Sequence, residues 1–538
     1  VRRKNLSQFF RSMLSHSKPA KINSIVGRAE TNGTTENVLS GILSKDLPYI
    51  QDVLANCSDV LYRKITVGSN QQIHGMVIWM EGLVSSSSLN DHIFKSVLQD
   101  SRLLPPNEDL GPRQAFSLLR DSLLSTAEVQ EQTSLATIFD SICTGRTVLL
   151  LDGVATALIA NTQGGEVRAI SEPVTEGVVR GPRQGFTENI GTNISLIRRI
   201  IKTPKLKMEM FQAGSLTKTD IVVAYIQGVS DDQVVAEVRH RIKQINIDSI
   251  LESSYVEELI EDQPFSPFPQ IAHTERPDKA AADLLEGRVV IIIDGTPFVL
   301  LVPTVFIQFL HSSEDYYERF PMAFAIRCIR FLFFLAALLL PSAYIAATTY
   351  HQEMLPTPLL ISIAGAREGV PFPAFIEALI MEIVFEALRE AGVRLPRPVG
   401  QAVSIVGALV IGEAAVQAGI VSPAMVIVVA VTAIASFTIP AFNAAITIRM
   451  LRFPMMAFAA VLGFYGIMLG MLAILIHLCS LRSFGVPYFA PVAPFHWQGM
   501  KDTIWRAPWW SMKKRPSFIS DHNVHREDSP KPEPPNSS

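Results

Sequence analysis

The hydrophobic pattern changes character near residue 320. Upstream, short apolar runs alternate with polar stretches; from 321 to 481 apolar residues dominate. Ile65 to Val84 reads as strand, turn, strand, with Gly68-Ser69 at the turn and Gly82 closing the second run. Leu206 to Val229 repeats this, with Gly214-Ser215 at the turn and Gly228 at the close, so each copy spaces its glycines fourteen residues apart. A helix follows each copy, and in the second Ser230 and Gln233 fit a capping box. The run from Gly145-Arg146 to Asp152-Gly153 matches that from Gly287-Arg288 to Asp294-Gly295. Each is a buried strand, an Asp-Gly turn that tolerates positive φ, and a second apolar run. These markers predict an α/β soluble N-terminal region of two related subdomains, 41–165 and 175–318, followed by an α-helical multi-span membrane domain.

In the apolar part, 331–352, 398–420, 421–440 and 453–481 read as spans, sufficient for a roughly 30 Å hydrocarbon core at about 1.5 Å per residue. The helix over 372–391 differs. Glu382, Glu386, Arg389 and Glu390 share one face, Ile376, Ile380, Val384, Ala387 and Leu388 lie opposite, and Glu377 falls among the apolar residues. Such a helix either lies in the interface or crosses with its acidic face toward water. The first case gives four spans and puts both termini on one side. The second gives five, satisfies the positive-inside rule at Arg394, Arg397, Arg449 and Arg452, and places the tail outside; the short-loop charges favour five. Glu413 is the one Asp, Glu, Lys or Arg between 398 and 448. On its helix Gln401, Ser404, Ala408, Gly412 and Ala415 form a small, weakly polar face, suited to close helix packing or to lining a narrow pore around an axis. Beyond the spans, 482–514 carries four of the five tryptophans and reads as an interfacial segment, and 515–538 as a disordered tail. Residues 1–40 read as a basic, flexible arm.

Composition adds exclusions. The net charge of −3, from 47 basic and 50 acidic residues, gives no bias toward nucleic acid. Cys57, Cys143, Cys328 and Cys479 are scattered, which argues against a disulfide framework or structural zinc. No Walker loop, GxSxG or HExxH occurs, so neither cofactor, catalytic metal nor enzyme activity is expected. Asp152 and Asp294 read as turn residues rather than a catalytic pair. The basic stretch with Arg180, Arg183, Arg198, Arg199, Lys202, Lys205 and Lys207 reads as a solvated face or subunit contact, with phosphate or headgroup binding as the other reading. The start lacks a signal peptide's apolar region, so the soluble part is expected to be cytoplasmic.

Several stretches together carry a family resemblance: Gly181-Pro-Arg-Gln-Gly-Phe-Thr-Glu188, Glu275-Arg-Pro-Asp278, the Gly287 to Phe298 hairpin, Ala364-Gly-Ala-Arg-Glu-Gly-Val-Pro-Phe-Pro373 and Gly400 to Gly419. With their domain order they resemble the A subunit of GerA-family spore germinant receptors. The resemblance implies a nutrient receptor in the inner membrane of a bacterial endospore. It implies a transporter-like B subunit that binds the nutrient, a lipoprotein C subunit, and an A subunit that forms an oligomeric, ion-conducting ring in contact with membrane lipids. On that reading the pore or gating candidates are Gln401, Ser404, Ala408, Gly412, Glu413, Glu377, Glu382 and Glu386. The alternative is a non-conducting membrane scaffold that couples the transporter-like subunit to downstream machinery.

Overall fold

A computed structural model describes residues 38–67, 73–98, 111–123, 128–164, 172–395, 410–519, 523–526 and 529–532. The soluble part holds two five-stranded antiparallel sheets. The first contains β1 (Val60–Val67), β2 (Ile73–Met80), β3 (Val129–Gln132), β4 (Thr147–Leu151) and β5 (Ala157–Ala160), in the order β1-β2-β4-β5-β3. The second contains β6 (Leu206–Ala213), β7 (Thr219–Ile226), β8 (Ala272–Thr274), β9 (Val289–Ile293) and β10 (Val299–Val302), in the order β6-β7-β9-β10-β8. The strand orders are the same, as the repeated glycine and Asp-Gly markers predict. Their central strands β4 and β9 are buried along their whole length, which explains their unbroken apolar runs.

The Asp-Gly corner does equivalent work in both halves. Asp152 Oδ1 accepts the backbone N–H of Leu43, the first residue of α1 (Leu43–Val53), at 3.0 Å. In the second half, beyond α2 (Leu135–Cys143), Asp294 Oδ1 accepts from Ile190, the first residue of α3 (Ile190–Ile200), at 3.1 Å. Gly153 and Gly295 take φ of +84° and +87°, a region that a β-carbon disfavours. Each of these aspartates thus closes a hairpin and satisfies an otherwise idle N–H at a helix start. The predicted capping box is displaced by one residue. The cap of α4 (Asp232–Gln244) is Asp231, whose side chain accepts from Gln233, while the Ser230 hydroxyl accepts from Ile226 N at 3.3 Å. The Gly68-Ser69 turn lies outside the described residues.

The stretch read as a basic face is partly interior. Arg198 is 1% exposed and makes two bonds to Asp59 of the first subdomain, at 2.7 and 2.9 Å. Lys207 donates to Val53 O at 2.8 Å. These two cations tie the sheets together, a use that charge spacing does not reveal.

The soluble part continues with α5 (Ser253–Ile260) and α6 (Pro277–Leu285) and leads into α7 (Phe320–Thr349). Next come α8 (Thr357–Arg367), α9 (Ala374–Arg394), α10 (Pro423–Phe437) and α11 (Phe442–Ser480). The stretch 453–481, expected as one span, belongs to two antiparallel arms. α11 breaks at Gly463 (φ 59°, ψ −141°) and doubles back. A β-carbon on Gly466 would overlap the carbonyl oxygen of Phe458, and one on Gly470 would overlap the Met455 sulfur. Both open ends of this hairpin meet the second sheet's loop. Thr447 Oγ1 donates to Pro267 O at 2.5 Å, and His477 Nε2 lies 2.9 Å from Ser266 Oγ. The hairpin tip meets the far end of α7, where Tyr350 OH donates to Ala460 O at 2.8 Å.

The chain after α11 returns to the soluble part. Ser483 Oγ donates to Gln270 O and Tyr488 OH to Pro269 O, at 2.8 and 2.7 Å. Trp505 packs on Phe324 near the start of α7, with ring centroids 4.6 Å apart. The segment predicted to lie along a membrane surface is therefore also bound to the protein's own soluble face.

Candidate functional site

The charged residues of the helical part concentrate on α9 and the first arm of α11. The buried stripe of α9 contains Ala374, Glu377, Ala378, Met381 and Glu382, while Ile383 on the other side is 54% exposed. Of the face read as acidic, Glu382 turns inward while Glu386 and Glu390 stay exposed, and Glu377, which falls among the apolar residues, is buried. A helix surrounded by lipid turns its polar side toward protein, because hydrocarbon cannot satisfy a carboxylate.

Each acid then meets its own partners. Glu377 is fully buried; its Oε1 accepts from Arg367 Nε at 3.1 Å, and its Oε2 accepts from Ser422 N at 2.9 Å. Ser422 is the N-cap of α10, so Glu377 fixes the end of α8 to the start of α10. Glu382 pairs with Arg452 in α11, and both are buried. Arg452 also donates through Nε to Ala337 O at 2.8 Å. That carbonyl precedes Pro341 by four residues, so the helix itself offers it no N–H. Glu386, half exposed, stands 3.5 Å from Arg449, and Arg389 stacks on Phe437 and Phe442 at 5.0 and 5.9 Å. Among the described residues, Glu382 Oε1, Arg452 Nη2, and Arg449 Nε and Nη1 have no hydrogen-bond partner. Of the arginines expected in membrane-flanking loops, Arg449 and Arg452 thus serve inside the bundle, while Arg394 is exposed at the end of α9 and Arg397 lies outside the described residues.

Residues 410–417 form the described end of the small-faced helix. Gly412 is buried, with the Val426 side chain of α10 3.6 Å from where its β-carbon would be. Glu413 points to the exposed side, and among the described residues its Oε1 accepts only from Gln417, at 3.1 Å. Gln401, Ser404 and Ala408 lie outside the described residues. The predicted candidates therefore separate into Glu377 and Glu382, which hold helices together; Glu386, at the rim; and Glu413, exposed on a helix whose other face is packed. Sequence reasoning passed over Arg452 and Arg367 as partners. The available signal was two arginines in an apolar stretch that also contains two acids.

Residues 48–518 match the family described as Bacillus/Clostridium GerA spore germination protein. The chain belongs to the GerA family. Spore germination protein KA of Bacillus subtilis (strain 168) is 51% identical over 92% of this chain and 90% of its own. Spore germination protein GerLA of Bacillus cereus is 40% identical over 89% and 96%, respectively. The uncharacterized membrane protein YfkQ of Bacillus subtilis (strain 168) is 48% identical over 92% and 94%. The crystal structure of the N-terminal domain of the A subunit of the Bacillus megaterium spore germinant receptor GerK3 is 38% identical. It covers 51% of this chain and 100% of that one, with a TM-score of 0.41. As a GerA-family chain with an apolar helical part, this is a spore germination protein with a membrane domain. The acid–arginine pairs above lie within the matched region.

Proposed function

We propose that this chain is the A subunit of a nutrient germinant receptor in the spore inner membrane. It acts with a transporter-like B subunit and a lipoprotein C subunit, and forms a homo-oligomeric, cation-conducting ring gated by nutrient binding in the partner. Family membership supports the receptor role, and the observation that carries the ring is Glu413. A carboxylate on a membrane helix needs water or a cation, since burying it alone costs several kcal/mol. Among the described residues it accepts only from Gln417, and the opposite face of its helix packs on α10. Around a symmetry axis such side chains form an acidic ring, which favours cations. Nutrient binding opens the ring only by contacting the open arrangement better than the closed one.

The test is cation flux through the purified receptor in liposomes, with the lipid-corrected mass of the complex measured alongside. Glu413→Gln is expected to reduce the preference for cations over anions. A monomeric A chain in the complete receptor, or unchanged selectivity in E413Q, overturns the ring.

The layout also supports six membrane passes with the soluble part and the tail on the cytoplasmic side. α7 leads away from the sheets, α9 returns, α10 returns from the far side again, so the chain between α9 and α10 has to lead away once more, and the two arms of α11 go out and back.

A further inference from the structure

A cavity of ≈ 380 Å³ lies between the second subdomain and the returning C-terminal segment. Its walls are α6, the 3-10 turn Phe306–Leu310 and parts of 491–526. This volume suits a small organic molecule. One side is aromatic, with Tyr316 and Trp509 rings 5.9 Å apart.

The carboxylates on the wall are already engaged. Asp278 binds Arg276 at 2.7 Å, Glu286 binds Arg526 at 3.0 Å, and Asp502 binds Arg327 at 2.8 Å. Asp283 accepts from Gln308 Nε2 at 3.1 Å. Arg288, which also lines the cavity, is different. It is 4% exposed, and among the described residues its Nε and Nη1 find no hydrogen-bond acceptor. Its carboxylate contacts are long, Asp283 at 3.4 Å and Glu286 at 3.7 Å. Idle donors on a buried guanidinium cost free energy, and an oxyanion lying along one edge of the group would engage one of them together with Nη2. Lys501 and Lys514 add further positive charge to the wall.

We propose that this cavity binds an organic anion, a carboxylate or phosphate carried on an apolar or aromatic body. Arg288 anchors the anionic head, and Tyr316 and Trp509 flank the body. The same chemistry is available from a dissolved metabolite and from an anionic lipid, because Tyr316 stands four residues before α7 begins. Occupancy joins the C-terminal segment to α6, so the ligand would hold the tail on the soluble part. The proposal does not rest on the ring.

The experiment uses the full chain in nanodiscs. Phenyl phosphate is titrated by calorimetry into phosphatidylcholine discs, and lipid retained after transfer from phosphatidylglycerol discs is counted by native mass spectrometry. One saturable site is expected in at least one arm. Binding of phenyl phosphate marks a dissolved ligand; retained phosphatidylglycerol alone marks a lipid. Arg288→Gln is expected to weaken binding at least tenfold. Because R288Q also removes a buried cation, Ala282→Trp is the control: Ala282 is an exposed wall residue, and an indole there fills the space without removing either partner of an ion pair. Loss of binding in A282W with an unchanged melting temperature supports the site. No saturable phenyl phosphate and no retained phosphatidylglycerol, or undiminished binding in A282W, overturns it.

Discussion

Pro341 leaves the carbonyl of Ala337 without its helical donor, and Arg452 of another helix supplies one while pairing with Glu382. Three helices therefore depend on one guanidinium. Removing one partner of a buried ion pair strands the other charge, at a cost of about 3–5 kcal/mol, whereas replacing both with apolar residues is far milder. Arg452→Leu and Glu382→Leu are each expected to destabilise the detergent-solubilised chain by about that amount. The double variant is expected to recover most of the loss in a thermal double-mutant cycle. Additive losses would show that the two side chains do not act as a pair. A second residue-scale prediction concerns pH. Burial pushes the Asp283 carboxyl up to about 6 and the His311 imidazole down to about 4. Between these values folded Asp283 keeps a proton that the unfolded chain has released, so its contribution falls as pH rises. Unfolded His311 holds a proton that the folded chain lacks, so its contribution rises with pH. The slopes oppose and nearly cancel, each amounting to roughly 3 kcal/mol over its window at about 1.4 kcal/mol per pH unit. Urea denaturation of His311→Gln is expected to show stability falling from pH 4 to 6, and Asp283→Asn the opposite; parallel slopes in both variants would contradict the assignment. Neither the pair nor the titrations were legible in the sequence, since each depends on residues far apart in the chain.

At the scale of elements, periodicity served the sheets well and the membrane helices less well. The repeated Asp-Gly markers located equivalent hairpins because turn chemistry is local. The acidic face of α9 divides between buried Glu382 and exposed Glu386 and Glu390, because a helical wheel reports which residues share a side and not what each of them meets. The hairpin in α11 was missed because an apolar stretch continues unbroken through Gly463, with Gly466 and Gly470 beyond it. Those last two glycines carry the signal in hindsight, since a pair four apart allows another backbone to approach closely. At Gly463 the backbone lies in a region that only glycine enters cheaply, and a β-carbon there would also come within 2.7 Å of His351. Gly463→Ala is expected to lower stability by about 1–3 kcal/mol through backbone strain alone, with the clash in addition. The checking measurement is the thermal midpoint in detergent, with Gly365→Ala, where nothing lies within 4 Å, as the control; equal shifts in both variants would remove the special role of the turn.

For the whole molecule, the question is how many times the chain crosses between its two ends. Counting apolar runs gave four or five because the count treated α11 as one span and α9 as undecided. The proposed six-pass layout rests on contacts at the two ends of the helical part. α7 departs from the second sheet, where Arg330 binds Asp315 at 2.7 Å, and the chain after α11 is hydrogen-bonded to the loop at 266–270 of the same subdomain. A segment fixed to one side at both ends crosses an even number of times, whatever lies between. The residues between α7 and α9, including Glu353, then belong to the opposite side. Impermeant maleimide labelling of sealed vesicles tests this in a background without the reactive Cys328 and Cys479. A cysteine at Glu258 on the second subdomain and one at Trp497, which is 72% exposed, are expected to react from the same side. A cysteine at Glu353 is expected to react only from the other. Labelling of positions 353 and 497 from one side would require an odd number of crossings, and would mean that the tail leaves the soluble face when the chain enters a bilayer. If 258 and 497 share a side, the C-terminal segment is held where it can respond to movement of the soluble repeats. Deleting residues 491–538 would then be expected to loosen α7 at its start, where Asp502 binds Arg327 at 2.8 Å, rather than at its far end.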